Sequence, residues 1–310
     1  LNDWLDLEHL LWKELKEHEI LEKKFLVGFS GGVDSLALLQ ALHRVKPGQV
    51  EACFVHHGPG GNAGYRDRAA EYCQAFCQAH KIPFHQQTHQ GSELRSEAEL
   101  REFRHFSLAQ IREKTKSDFL ALAHHREDLL ETRLLRLIRG TGGQGLKAMQ
   151  ALQGALFRPF LKISKNDLQE YLQALSLEAI EDPSNQDLHP MRNWLRQDWL
   201  VALEDRQAGA VNALARSLEI IAESLEEMSL PEELFKEDFI SRPHYLALSK
   251  AQQKQALAAY LLSQKARGFS QSHLEEIQKR LDISKKEFIF RVSGMNWVIN
   301  AQQIRVEKPE

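Results

Sequence analysis

Phe25-Leu26-Val27-Gly28-Phe29-Ser30-Gly31-Gly32-Val33-Asp34-Ser35-Leu36 decides the fold, because it reads as a buried strand that turns at once into a helix. The five residues before Ser30 are a short apolar run. Behind Ser35, Leu36, Leu39 and Leu42 recur at helical spacing. A loop in that position presents backbone N–H groups and the positive end of a helix dipole to whatever lies beyond the sheet, which suits a phosphate. Gly31 and Gly32 let the backbone come close, and Ser30 and Ser35 add hydroxyl donors. No lysine follows the glycines, so the loop is not the Gly-x4-Gly-Lys-Ser/Thr type that serves cleavage of the terminal phosphate.

Outward from this loop, apolar runs alternate with amphipathic stretches. Strands are expected near Lys24–Phe29, Val50–Val55, Pro83–Gln87 and Phe119–Ala123, and helices near Val33–Arg44, Ala63–His80 and Ser96–Arg112. Ser96 and Glu99 read as a capping box. A helical preface is expected over Leu1–Leu21. This alternation predicts an α/β fold, a doubly wound and mostly parallel sheet with helices on both faces. In such sheets the ligand sits at the carboxyl ends of the strands, where the Ser30 loop, His56-His57-Gly58 and His124-His125 all fall.

A second signature follows the fourth expected strand. Ala123-His124-His125-Arg126-Glu127-Asp128-Leu129-Leu130-Glu131-Thr132 runs into Arg139-Gly140-Thr141-Gly142. Asp128 and Glu131, three apart on a helix, are neighbours at the mouth of the nucleotide site. Two readings are open for them: a pair that binds magnesium or a cationic substrate, or solvated charges supporting Arg133 and Arg136. Arg101 and Arg104, on the helix before the fourth strand, suit ATP phosphates, RNA or surface ion pairs.

After Arg158-Pro159 the pattern becomes helical. A long helix over Ala208–Glu227 reads as a connector, and Phe288–Val292 with Trp297–Ile299 reads as a hairpin joined by Ser293-Gly294-Met295-Asn296. The expected domains are 1–207 for nucleotide and catalysis, 208–230 as a helical linker, and 231–310 as a small C-terminal domain. The 310 residues are 43% hydrophobic and 27% charged, as in ordinary soluble proteins. No apolar run approaches the ~20 residues that cross a bilayer, and a cytoplasmic location is expected. Cys53, Cys73 and Cys77 lack metal-knuckle spacing and read as thiols of the core or surface. The net charge is −3, but Arg242–Lys308 carries twelve Lys/Arg against five Asp/Glu. That excess suits an RNA-gripping segment, with Lys279, Arg280, Lys285 and Lys286 its densest group.

The pattern Ser-Gly-Gly-x-Asp-Ser resembles the PP-loop of the N-type ATP pyrophosphatases, the adenine nucleotide alpha hydrolase-like fold. The whole order of blocks resembles the tRNA(Ile)-lysidine synthetase family. Those blocks are the PP-loop, the His-His-x-x-Asp-x-x-Glu-Thr helix, Arg139-Gly140-Thr141-Gly142, Gly145-Leu146 with Met149, Arg158-Pro159, Glu181-Asp182-Pro183-Ser184-Asn185 and Arg192-Asn193-x-x-Arg196. Two positions depart from the family pattern: His56 stands where Asp is usual, and Leu129 where Gln is usual.

The resemblance implies an ATP-dependent ligase that joins L-lysine to C2 of the wobble cytidine of a CAU-anticodon tRNA(Ile) through an adenylated intermediate. Ser30, Gly31, Gly32, Val33, Asp34, Ser35, Arg104 and His124 are then expected to bind ATP, with Asp34 also holding Mg2+. Asp34, Asp128 and Glu131 are the expected catalytic residues, and Asp128, Glu131 and Arg192 the lysine site. Arg139, Lys279, Arg280, Lys285 and Lys286 are expected at the tRNA. A possible homodimer accompanies this reading, and no membrane partner does. Other readings stay open: another PP-loop enzyme such as a tRNA 2-thiolase or an amidating synthetase, or a nucleotide- or RNA-binding module without catalysis. Thiolases commonly carry paired cysteines, and the three here are not so arranged.

Overall fold

In the computed structural model, the described residues are 4–307 apart from 61, 95, 141–142, 182–190, 228–229, 237, 265, 267–268 and 283–286. They divide into two compact units, Leu1–Leu135 with Ala148–Val211, and Arg136–Lys147 with Asn212–Glu310. The long helix that reads as a connector therefore groups with the C-terminal residues, as does a short piece from the middle of the chain.

The first unit opens with α1 (Asp6–Glu17), β1 (Phe25–Gly28), α2 (Val33–Val45), β2 (Val50–His56), α3 (Ala63–Ala79), β3 (Phe84–Thr88), α4 (Glu97–Thr115), β4 (Phe119–Ala121) and α5 (Arg126–Ile138). The chain leaves it at Leu135 and makes α6 (Gly143–Leu146) in the second unit. It returns as β5 (Leu152–Gln153), β6 (Leu156–Phe157), α7 (Lys165–Ala174), α8 (Met191–Trp194), a π-helical turn over Leu195–Trp199, and α9 (Leu200–Arg206). The preface is shorter than the expected Leu1–Leu21, since α1 stops at Glu17 and Glu19 turns the chain with φ 57°.

The sheet order is β3-β2-β1-β4-β6-β5. All neighbours are parallel except the edge pair β5 and β6. Strand alternation explains the two-sided core. Phe25, Val27, Ala52 and Phe54 join α1, α2, α3 and α7 in one cluster, while Leu26, Cys53 and Leu120 meet Leu108 and Ile111 of α4 in another. The three cysteines are free and buried, and burial pushes the Cys53 and Cys77 thiols up to about 12. They are filling, not ligands. Glu8, with no exposed surface, holds the first cluster's helices together by accepting from Tyr171 Oη at 2.7 Å and pairing with Arg44 at 2.6 Å.

The topology fixes where a ligand belongs. From β1 the chain winds one way through β2 and β3, then returns to lay β4 on the other side of β1. The order reverses between β1 and β4, and the crevice at their carboxyl ends is the expected ligand position of an open α/β sheet.

The second unit contains α10 (Ala210–Glu227), a 3-10 turn over Glu232–Leu234, β7 (Ile240–Ser241), α11 (Arg242–Ala247), α12 (Lys250–Ser263), α13 (Gln271–Leu281), β8 (Phe288–Val292), β9 (Met295–Ile299) and β10 (Gln303–Glu307). Its sheet runs β7-β10-β9-β8, antiparallel throughout. Tyr245, Leu257, Ile277, Trp297, Ile299 and Ile304 are the centre of its own core. The expected hairpin is present but tighter than read: Val292 pairs with Met295, so Ser293-Gly294 alone makes the turn. Both take positive φ, 54° and 76°, the geometry a two-residue hairpin loop requires.

Candidate active site

The loop Ser30–Ser35 occupies the carboxyl end of β1, as its sequence suggests. Gly31 lies at φ 85°, and a Cβ there would come within 2.8 Å of Ile180. Its carbonyl accepts from Ile180 N–H at 3.0 Å, and Tyr72 Oη donates to the Glu178 carbonyl, so the glycine lets a neighbouring strap close on the loop. Ser35 Oγ accepts from Ser30 N–H at 3.2 Å and donates to the Gly32 carbonyl at 3.0 Å. Gly32 is the N-cap of α2 and has no side chain to cap it, which leaves the first-turn N–H groups unclaimed by any cap. That is an anion seat backed by a helix dipole.

Asp34 stands in that first turn, and burial holds its pKa above the ordinary value against the pull of His125, Lys165 and Arg196. Its Oδ1 is buried without a hydrogen-bond partner. A buried, orphaned carboxylate oxygen beside an anion seat fits a cation shared with phosphates. No group of three or more His, Cys, Asp or Glu side chains among the described residues could hold a metal alone.

Across the switch point, β4 delivers His124 and His125 into the start of α5. His125 is almost wholly buried and is the hub of the site. Its Nδ1 bonds Glu127 Oε2 at 2.9 Å, and its Nε2 lies 3.7 Å from Asp34 Oδ2 and 3.4 Å from Asp128 Oδ2. Burial alone would lower the pKa of His125; the bond to Glu127 and the nearby Asp128 and Asp34 outweigh it and carry it above the ordinary value. Burial likewise opposes ionisation of Glu127, but its bonds to His125 and to backbone N–H groups hold it down to about 2. Glu127 also accepts from Lys165 N–H at 3.1 Å, which ties the start of α7 to the site.

Asp128 and Glu131 do lie together, and they are not solvated charges. Glu131 has no exposed surface. Arg196 grips both: its Nε donates to Glu131 Oε1 at 2.6 Å, and its Nη2 donates to Glu131 Oε2 and to Asp128 Oδ1, each at 3.0 Å. Burial still holds Glu131 above its ordinary pKa, ahead of the opposing pull of Arg196. Arg192 stands 3.4 Å from Glu131 Oε2 and donates to Thr132 Oγ1 at 2.7 Å. Arg196 belongs to the π-helical turn, a distortion that often re-aims side chains at functional sites. Arg133 is buried, and Arg136 donates to the Gly145 carbonyl at 2.9 Å.

The structure thus brings Asp34, Asp128, Glu131 and Arg192 to one crevice with the Ser30 loop. His125, Glu127 and Arg196 join them. The His-His pair and the Arg192-Asn193-x-x-Arg196 block were visible signals for two of these, but no sequence pattern says which histidine is the hub. His124 sits beside it, its Nδ1 buried without a partner and its pKa pushed down to about 4 by burial.

Arg104 is exposed on α4, where its charge helps burial push His57 down to about 4. His56 has a structural occupation: its Nδ1 accepts from Gly58 N–H at 3.1 Å, leaving Nε2 to donate to Asp67 at 3.1 Å. An acceptor two residues before its donor is what an aspartate side chain supplies in an Asx turn, so histidine serves there. Leu129 is simply buried. Arg139 and Lys279 are exposed in the second unit. Arg280 pairs with Glu276 at 2.6 Å and lies 5.5 Å over the Phe290 ring, so its charge is already engaged. Lys285 and Lys286, like Asp182–Asn185 and Thr141-Gly142, lie outside the described residues.

Comparison with known proteins gives the family of the chain. A family model described as a PP-loop domain matches residues 7–203. The chain is 48% identical over 309 residues to the tRNA(Ile)-lysidine synthase of Bdellovibrio bacteriovorus, covering 97% of each chain. It is 38% identical over 252 residues to that of Xanthomonas axonopodis pv. citri, covering 78% of this chain and 55% of that longer one. A solved U34-tRNA thiolase from Methanococcus maripaludis overlays 70% of this chain and 80% of its own with a TM-score of 0.57 at 20% identity, a likeness of fold alone. The chain belongs to the tRNA(Ile)-lysidine synthase family of PP-loop, ATP-dependent ligases.

Proposed function

We propose that this chain attaches L-lysine to C2 of the wobble cytidine of a CAU-anticodon tRNA(Ile) in two steps at the crevice between β1 and β4. The observation that carries the reading is one crevice holding an anion seat, Asp34 with an orphaned oxygen, and a carboxylate pair gripping a guanidinium.

In the first step the cytidine O2 attacks the α-phosphorus of ATP, and the bond to the β-phosphate oxygen breaks to release pyrophosphate. The unclaimed N–H groups of the Ser30 loop hold that leaving group as charge develops on it. Asp34 would hold Mg2+ there, and the ion would supply further charge neutralisation.

In the second step the lysine Nε forms a bond to C2, and the C2–O2 bond breaks so that O2 leaves with AMP. Free lysine has a pKa of ~10.4, so about one molecule in a thousand is a neutral nucleophile near pH 7. Asp128 and Glu131 suit the ammonium because they already hold one cationic side chain in the crevice. For lysine to bind there, Arg196 gives up part of its grip. One of the two carboxylates then takes the proton as attack proceeds; the raised pKa of Glu131 favours that residue. Arg192, one turn from Arg196 and bonded to Thr132, suits the lysine carboxylate by its planar fork.

The test is mass spectrometry of a CAU-anticodon tRNA after incubation with the chain, ATP, Mg2+ and lysine. The expected product gains one lysine less one water at the anticodon. No mass change with lysine, or a change with ATP omitted, rejects the reading.

A further inference from the structure

Arg158 is not used by that chemistry and is hard to explain as scaffolding. It follows β6 at the carboxyl edge of the sheet and is only 7% exposed. Its backbone N–H bonds the Ala151 carbonyl at 2.7 Å. Its guanidinium has one weak protein contact, Nη1 to the Gln150 carbonyl at 3.3 Å, and its Nε is buried without a partner. No carboxylate pairs with it among the described residues.

Its surroundings are basic rather than acidic. Burial lowers its pKa, and the charge of Arg101 lowers it further. Arg101 and Arg158 both act on His105 and on His124, whose buried Nδ1 also lacks a partner. The acid felt at His124 is Asp128, which Arg196 already engages. A buried guanidinium costs several kcal/mol unless an anion repays it. One carbonyl at 3.3 Å does not.

The strand order says which anion. β1, β4 and β6 are consecutive neighbours, about 4.8 Å apart, which puts the residues after β6 roughly 10 Å along the edge from the Ser30 loop. The carboxylates that follow β4 lie between. With ATP phosphates on the loop, as in the function proposed above, the β6 side is the side left for the accepting RNA strand. We propose that Arg158, with Arg101 beside it, is a seat for a backbone phosphodiester of the RNA substrate. The proposal rests on the RNA-modifying function above.

The test uses the full chain carrying Arg158→Gln or Arg158→Lys, with tRNA affinity measured over a range of salt and ATP affinity measured without RNA. Arg158→Gln is expected to weaken tRNA binding roughly tenfold or more, since a charge-assisted bond is lost. It should also make the plot of log affinity against log salt shallower by about 0.7 to 0.9, with ATP affinity unchanged. Arg158→Lys, which keeps the charge, restores the slope. A folded Arg158→Gln variant with wild-type tRNA affinity and slope overturns the proposal. So does a loss of ATP affinity at unchanged tRNA binding, which would assign the seat to an ATP phosphate. If Arg158→Gln fails to fold, Arg101→Gln at an exposed position reads the same slope, and no change there overturns it. Failure of the wider function appears separately, as wild-type chain that binds tRNA but forms no lysine adduct.

Discussion

The two units treat their charges in opposite ways. In the first, Asp34, His124, Arg158 and Arg192 each keep a buried polar atom without a hydrogen-bond partner, and Glu131 is ionisable with no exposed surface. In the second, exposed ordinary pairs are common, such as Lys250 with Asp282, Lys254 with Glu275, Arg280 with Glu276 and Arg305 with Glu307, and the buried Arg242 donates to the Asn300 carbonyl at 2.9 Å. Its buried orphans among the described residues are neutral groups, Tyr245 Oη and Trp297 Nε1. Exposed pairs are worth about 0–1 kcal/mol, whereas buried unsatisfied groups cost several times more. The difference locates the chemistry: a fold tolerates such groups where a ligand completes them.

The largest effect is expected at Asp34. Asp34→Ala should cut pyrophosphate release by about 10² to 10³, the usual loss for one preorganised electrostatic partner, while tRNA affinity holds. Near-normal release, followed with labelled ATP, would remove Asp34 from the reaction and weaken the contrast between the units.

Next in size is Glu131. Glu131→Gln leaves Arg196 and Arg192 facing a neutral amide, and breaking a buried pair typically costs about 3–5 kcal/mol, less here because both arginines are partly exposed. The expected outcome is a lower melting temperature together with accumulation of adenylated tRNA and a raised lysine requirement. Lost ATP binding at unchanged lysine dependence would make Glu131 part of the nucleotide site instead.

Glu127 gives a smaller effect with a definite sign. Its folded pKa of about 2 lies below its unfolded value of 4.5, so its stabilisation is present above pH 4.5 and fades as pH falls toward 2. That linkage is on the order of 3 kcal/mol at neutral pH. Glu127→Gln should flatten the acid limb of the unfolding profile in that window. An unchanged acid limb would show that His125 does not hold Glu127 ionised.

The smallest effects belong to the second unit. Arg280→Ala removes one exposed pair and one ring contact, so a loss of about 1 kcal/mol or less is expected. Lys279→Ala should leave stability untouched and, if Lys279 meets a phosphate, reduce the salt slope of tRNA binding by just under one unit. A severe stability loss at either position would contradict the picture of a surface-charged unit.

Much of this was legible along the chain. The strand, loop and helix around Ser30 are local: apolar alternation, a glycine pair and a leucine stripe act within a dozen residues. Asp128 and Glu131 could be paired from their spacing because a helix repeats every 3.6 residues. The hairpin of β8 and β9 was found but drawn too loose, since strand propensity does not reveal that Ser293 accepts a positive φ.

The sequence by itself determined the alternation of strands and helices, the nucleotide loop and the acidic pair, because neighbours along the chain decide those. Tertiary structure alone decided that β4 lies against β1, which puts His125 between Asp34 and Asp128. It alone brought Arg196, sixty-five residues from Glu131, onto that carboxylate. It alone left Arg158 buried with no acid paired to it among the described residues. These depend on which elements share an edge and what each side chain finds when water is excluded. Such facts come from packing, and residue spacing does not encode them.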